Sequence, residues 1–194
     1  MFEVELKAIV RNKSATIEQI EKLCDETGLK LLYDDVYLDK ENTLTVADKE
    51  LRLRNKTNKD SGESRFFLTF KDSPFNEKSK SKPEFETEIT DFNTAIAIFK
   101  KLGYSISMRY TKECLIYNLT YLDIKLEVSI VELPELENTF IEVETQTETE
   151  KDTKLLFKIL HQFLNQIGIS QTDLTSKYYV DAIKEKREQD QRLD

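Results

Sequence analysis

Residues 2–8 read Phe2-Glu3-Val4-Glu5-Leu6-Lys7-Ala8, an unbroken alternation of apolar and charged side chains. Successive side chains of a strand point to opposite faces, so this segment is a strand with one apolar and one ionic face. Five further segments repeat the pattern. Leu51 and Leu53 alternate with Glu50, Arg52, Arg54 and Lys56. Phe66, Leu68 and Phe70 alternate with Arg65, Phe67, Thr69 and Lys71. Phe85, Thr87 and Ile89 alternate with Glu84, Glu86 and Glu88. Leu122, Ile124, Leu126 and Val128 alternate with Asp123, Lys125 and Glu127. Ile141, Val143 and Thr145 alternate with Phe140, Glu142 and Glu144. Further strands are predicted near 31–38 and 104–118. The polar faces are not the mixed Thr, Ser and Lys of a solvated sheet but rows of Glu, Arg and Lys. A mostly antiparallel α+β sheet is the plain architecture. If it closes into a barrel, the ionic rows line the interior and the apolar faces carry helices.

Four segments have helical spacing instead. Residues 14–27 start at a possible N-cap, Ser14, and run to Gly28; 92–102 follow Asp91 and end at Gly103; 152–167 end at Gly168. A last helix near 175–190 grades into the charged run 184–194, read as a frayed, solvated tail. Lys71 to Lys82 is polar and apolar-poor, a loop within one domain of residues 1–183. Its bases Lys78, Lys80 and Lys82 would suit a lid as well as plain disorder.

Composition bounds the function. The chain has 194 residues, with 37 acids against 29 bases and a net charge of −8. That balance argues against a nucleic-acid groove. No apolar run is long enough to span a membrane. The start Met1-Phe2-Glu3-Val4-Glu5 lacks a basic, apolar leader, so a cytoplasmic protein is expected. Two cysteines, Cys24 and Cys114, and one histidine, His161, exclude ordinary zinc sites and most Cys/His nucleophile schemes. All three read as packing residues on apolar faces.

The ionic rows carry the chemistry. Glu3, Glu5 and Lys7 share one strand face at spacings of about 6.5–7 Å. Two carboxylates so placed suit a hard divalent cation, and the lysine suits an anionic oxygen. Taken alone, the segment could equally be a solvated strand. Arg52 and Arg54 share a face, Lys71 closes another strand, and Arg109 and Lys112 stand on a further one. Glu142 and Glu144 repeat the acidic pair far along the chain. Bases in several rows would bind a triphosphate, and acids at two distant places would hold a bridging metal.

These motifs, in this order, resemble the CYTH domain family, the triphosphate tunnel metalloenzymes. The ExExK start is matched by Glu3, Glu5 and Lys7, and the DxYF-like strand by Asp35-Val36-Tyr37-Leu38. Leu51-Arg52-Leu53-Arg54 matches LRxR, and Leu68-Thr69-Phe70-Lys71 matches LTxK. Lys82-Pro83-Glu84-Phe85-Glu86 stands for RxExE with Lys for Arg. Arg109-Tyr110-Thr111-Lys112-Glu113 fills the basic strand, Glu142-Val143-Glu144 the ExE strand, and Ser176-Lys177-Tyr178-Tyr179 a late SxxY-like helix start. Within the family the form EVELK, the strand Asp35-x-Tyr37-x-Asp39 and the KPEFE segment are similar to class IV adenylate cyclases.

The resemblance implies a closed eight-stranded antiparallel β-barrel, a tunnel, with helices packed outside and Mg²⁺ or Mn²⁺ as cofactor. It implies Glu3, Glu5, Glu142 and Glu144 as metal ligands, joined by Glu127 or Glu132. Glu127 keeps the alternation of its strand, whereas Glu132 has the better spacing to Phe140; Glu127 is preferred. It implies Lys7, Arg52, Arg54, Lys71, Arg109 and Lys112 as triphosphate-binding residues, with Lys7, Arg54, Lys71 and Arg109 the catalytic ones. Arg109 and Lys112 differ in parity, so both face inward only with a bulge between them. The implied reaction is ATP to cyclic AMP and pyrophosphate; hydrolysis of thiamine triphosphate or inorganic triphosphate is the alternative, and a non-catalytic polyphosphate or nucleotide binder the third class. A homodimer is the family-level expectation.

Overall fold

The computed structural model describes residues 2–24, 26–73 and 82–192. Eight strands form one sheet: β1 (Phe2–Val10), β2 (Leu29–Asp39), β3 (Glu50–Asn58), β4 (Ser64–Lys71), β5 (Glu84–Ile89), β6 (Ser105–Tyr121), β7 (Ile124–Glu132) and β8 (Thr139–Thr147). The helices are α1 (Lys13–Glu21), the single turn α2 (Thr43–Val46), α3 (Phe92–Lys101), α4 (Thr153–Gln166) and α5 (Tyr179–Gln191). The strand order is β1-β8-β7-β6-β2-β3-β4-β5, and every pairing is antiparallel. The sheet curls until its two edge strands meet, yet between them the described residues show only one backbone bridge, Phe2 to Pro83. The expected closed barrel is therefore a curled sheet with helices outside and a seam that lacks a ladder.

Packing follows the alternation. Val4, Ala8, Val128, Ile141 and Val143 of the sheet bury against Leu156, Leu160, Phe163 and Leu164 of α4. Each such fully buried side chain contributes about 1.5–3 kcal/mol of burial energy. Val36, Leu51 and Leu53 pack under Phe92 and Ile96 of α3. Ile183 and Tyr179 of α5 cover Met108, Tyr110, Val131 and Phe140. Among the described residues no helix is long and apolar enough to cross a membrane.

Several local expectations change. Asn12, not Ser14, caps α1, its side chain accepting from the Ala15 amide, and the helix stops at Glu21. Gly28 therefore ends no helix; a Cβ there would lie 2.6 Å from Leu115 Cδ1 and 2.7 Å from Tyr117 Cζ. Asp91 does cap α3, and Gly103 and Gly168 take left-handed conformations after α3 and α4. Leu122 and Asp123 belong to no strand: both have positive φ and form the tight turn between β6 and β7. The charged run stays helical through Gln191, and Arg187 clasps Glu135 while donating to the Arg109 carbonyl. The loop bases Lys78 and Lys80 lie outside the described residues. Lys82 donates to the Asp48 carbonyl and carboxylate.

Candidate active site

The ionic strand faces converge inside the curled sheet on a cavity of about 560 Å³. Register explains the convergence. Glu5 stands opposite Glu144, which stands opposite Glu127; Lys7 stands opposite Glu142, which stands opposite Ser129. On the other wall Arg54 is opposite Asp35, Arg52 opposite Tyr37 and Thr69, and Lys56 opposite Tyr33. Alternation then turns all of these side chains inward.

Acids and bases sort into groups. Carboxylate oxygens of Glu3, Glu5 and Glu144 lie within 4.8 Å of one another. Burial and the carboxylates of Glu142 and Glu3 push Glu5 up to about 7. Burial, Glu3, Glu127 and Glu5 push Glu144 well above the usual carboxylate range. Glu3 goes the other way: burial disfavours its charge, but Lys71, Glu84 and Arg52 hold it well below the ordinary value. A hard divalent cation takes oxygen ligands at about 2.0–2.6 Å, so three oxygens this close can share one ion and lose their mutual repulsion. The donor set thus fits Mg²⁺ or Mn²⁺.

Glu142 and Glu127 stand slightly apart from that trio. Glu142 accepts from Lys112 at 3.1 Å; burial opposes its charge, but Lys112 and Lys7 keep its pKa low. Glu127 faces the cavity beside Glu144, and burial raises its pKa. Glu132 instead pairs with Lys13 at the end of β7, outside the cavity, so of the two registers only Glu127 reaches the tunnel.

Arg52, Arg54 and Lys71 line the opposite wall, while Lys7 and Lys112 stand beside Glu142. Lys71 donates to both oxygens of Glu3 at 2.9 Å and lies 3.6 Å from Glu84. Arg54 makes two 2.6 Å hydrogen bonds to Asp35, and its guanidinium sits 4.5 Å from the Tyr33 ring. Arg52 reaches Glu50 at 3.8 Å and Thr69 at 3.5 Å, and its buried Nε has no hydrogen-bond partner. That orphan donor in a polar cavity suits an anionic oxygen. Lys7 and Lys112 approach the Tyr179 ring at 4.2 and 5.3 Å.

Arg109 is a correction. It points to the outer surface and pairs there with Asp34 at 2.6 Å. The one bulge along β2 and β6 sits at Tyr37/Leu38, where Ser107 is the extra residue, so no offset falls between Arg109 and Lys112. Parity therefore keeps Lys112 in and sends Arg109 out.

Asp35, Lys56 and Glu84 sit within a quoted motif or alternation and Tyr33 within a predicted strand, yet the pattern alone assigns none of the four a role. Burial and a hydrogen bond with Glu3 raise Glu84 to about 8. Burial and Arg54 lower the pKa of Lys56, against the opposing charges of Glu86 and Glu127.

Comparison with known proteins agrees with this geometry. A protein of Methanocaldococcus jannaschii named "Putative adenylate cyclase MJ0240" is 27% identical over 182 residues, 93% of this chain and 98% of its own. The PH1819 protein of Pyrococcus horikoshii superimposes with a TM-score of 0.80 at 25% identity, covering 95% of this chain and 99% of that one. A Hippeastrum protein, HpAC1, described as a "putative adenylyl cyclase" with a dominant triphosphatase activity, superimposes at 0.60 with 15% identity over 95% of each chain. The model of the CYTH domain matches residues 1–179, the span that contains every tunnel side chain discussed above, and the chain belongs to that family.

Proposed function

We propose that the protein is a divalent-cation-dependent enzyme of triphosphates that converts ATP to cyclic AMP and pyrophosphate. The observation that carries this reading is the meeting, in one cavity, of three carboxylates within 4.8 Å of one another with a wall of buried bases. The name of the Methanocaldococcus relative supports the choice of reaction.

Glu3, Glu5 and Glu144 would hold Mg²⁺ or Mn²⁺, with Glu127 and Glu142 behind them. When bound, the cation would offset charge on the phosphate oxygens and raise the electrophilicity of phosphorus. The chain's own residues do the positioning. Arg52 offers its free Nε and Arg54 a guanidinium held in plane by Asp35; a planar fork matches phosphate oxygens. Lys7, Lys71 and Lys112 are point charges for single oxygens, and a phosphate arriving beside them shares them with their carboxylates. In the cyclase reaction the ribose 3′-hydroxyl oxygen loses its proton to water and bonds to the α-phosphorus, and the bond from that phosphorus to the pyrophosphate oxygen breaks. Preorganised cations aimed at the oxygens where charge accumulates lower that barrier.

The description of the Hippeastrum protein favours a second reading, in which water attacks the terminal phosphorus of thiamine triphosphate or inorganic triphosphate. Product analysis separates the two. Purified protein with Mg²⁺ or Mn²⁺ is given ATP, thiamine triphosphate and inorganic triphosphate in turn. Cyclic AMP with pyrophosphate is expected; orthophosphate with no cyclic product overturns the cyclase reading in favour of the hydrolase. Tight metal-dependent binding without turnover would make the protein a binder.

A further inference from the structure

The bases of β3 do not stop at Arg54. Lys56 is the next inward position, about 13 Å along the strand from Arg52, and it lines the same cavity. Its surroundings differ from those of four other tunnel bases. Arg52, Arg54, Lys71 and Lys112 each have a carboxylate within 4.0 Å. Among the described residues none lies that close to Lys56, whose ammonium sits instead 4.5 Å from the Phe67 ring centroid and 5.5 Å from that of Tyr33. A ring face steadies a cation without occupying its hydrogen-bond donors.

The tunnel has a direction. Its β2 register sets Leu38 against Leu51 at one end and Tyr33 against Lys56 at the other. The Leu38 end carries Leu44, Tyr178 and Val180 among charged neighbours such as Asp48 and Lys82, an apolar patch in the rim suited to an organic group. The Lys56 end carries Glu127, which also borders a second cavity. A triphosphate whose organic end rests on the apolar rim therefore points its phosphate chain toward Lys56.

We infer that Lys56 binds the terminal phosphoryl group of the substrate and sets the preference for triphosphates over diphosphates. This rests on the triphosphate reading above and adds a residue to it. An anion at Lys56 displaces no partner, whereas one at Lys71 or Lys112 competes with Glu3 or Glu142. Lys56 thus reads chain length, while the paired bases hold the inner phosphates.

The test is calorimetric titration, with Mg²⁺, of two inert probes: a tripolyphosphate whose bridging oxygens are methylenes, and methylenediphosphonate. Lys56→Met is expected to weaken the three-phosphorus probe about tenfold, leave the two-phosphorus probe within about twofold and keep the wild-type melting temperature. Lys56→Arg restores most of the loss. Equal weakening of both probes, or no weakening of the longer one, overturns the inference while leaving the triphosphate reading standing. Wild-type protein that binds neither probe overturns both.

Discussion

Asp35 of β2 and Arg54 of β3 face each other across one register step and make two hydrogen bonds of 2.6 Å each, with Asp35 wholly buried. Burial works against both charges, and Arg54 nevertheless holds Asp35 below the ordinary carboxylate pKa. The pair fixes the plane of a guanidinium that projects into the tunnel. Removing one member of a buried pair strands the other, at a cost of about 3–5 kcal/mol. Asp35→Asn is expected to lower unfolding stability by that amount in urea and to cut activity at saturating substrate. Unchanged stability would mean that the carboxylate is not needed to seat Arg54.

The acidic trio would make cation binding a proton-releasing event. In the folded, cation-free protein Glu5 keeps its proton to about pH 7, and Glu144 is shifted the same way, whereas the ordinary value for both is 4.5. The contribution of Glu5 to stability is present in full below about pH 4.5 and is lost as pH rises through 7, and that of Glu144 is lost in the same direction. The depressed carboxyls, Glu3, Glu142 and Asp35, change stability in the opposite sense below pH 4.5. Mg²⁺ or Mn²⁺ should therefore raise the melting temperature more at pH 8 than at pH 5. Calorimetry in two buffers of different ionisation heat should detect a proton released at pH 6. Equal stabilisation at both pH values, with no proton released, would argue against the trio as the cation site.

Arg109 and Lys112 separate the outer from the inner face of β6. Arg109→Ala removes an exposed pair with Asp34, worth at most about 1 kcal/mol, and should leave kcat unchanged. Lys112→Ala removes a tunnel cation and strands Glu142; a loss of about 10²-fold or more in kcat is expected. Steady-state kinetics on both variants, once the substrate is in hand, checks the assignment; a large loss with Arg109→Ala alone would reverse it.

The start of α1 offers a stability test remote from the tunnel. Asn12→Ala should cost about 1 kcal/mol, because the Asn12 side chain caps the Ala15 amide. Ser14→Ala should cost nothing and can gain a few tenths of a kcal/mol, since Ser14 sits in the first turn and caps nothing while alanine is the better helix former. Denaturant midpoints of the two variants decide between the two caps.

The faces of the strands were legible because a period of two is a local property. Reading Glu3, Glu5 and Lys7 off one segment, and Glu142 and Glu144 off another, needs no knowledge of their neighbours. Their meeting depends on register, which the apolar face imposes by having to reach α4 and α3. The direction of Arg109 was not legible. It turns on where β6 carries its extra residue, and that bulge at Ser107 is set by the pairing with Tyr37 and Leu38. The part played by Asp35 was hidden for the same reason, since a buried carboxylate is explained only by the guanidinium on the adjacent strand. Asn12 was passed over because Ser14 is an equally good capping residue type, and only backbone geometry tells the two apart.

Eight strands held by seven ladders make a split ring rather than a hoop. Where β1 meets β5, the one backbone bridge among the described residues, at Phe2 and Pro83, and the clasp of Lys71 between Glu3 and Glu84 do the work that a ladder does elsewhere. Widening the bore along this seam stretches ionic side chains and breaks almost no backbone hydrogen bonds. The compliance of the tunnel is thus concentrated on one line, and Glu3, which closes that line, also belongs to the trio that would grip the cation. What sits inside the ring and how far the ring opens are set by the same carboxylate.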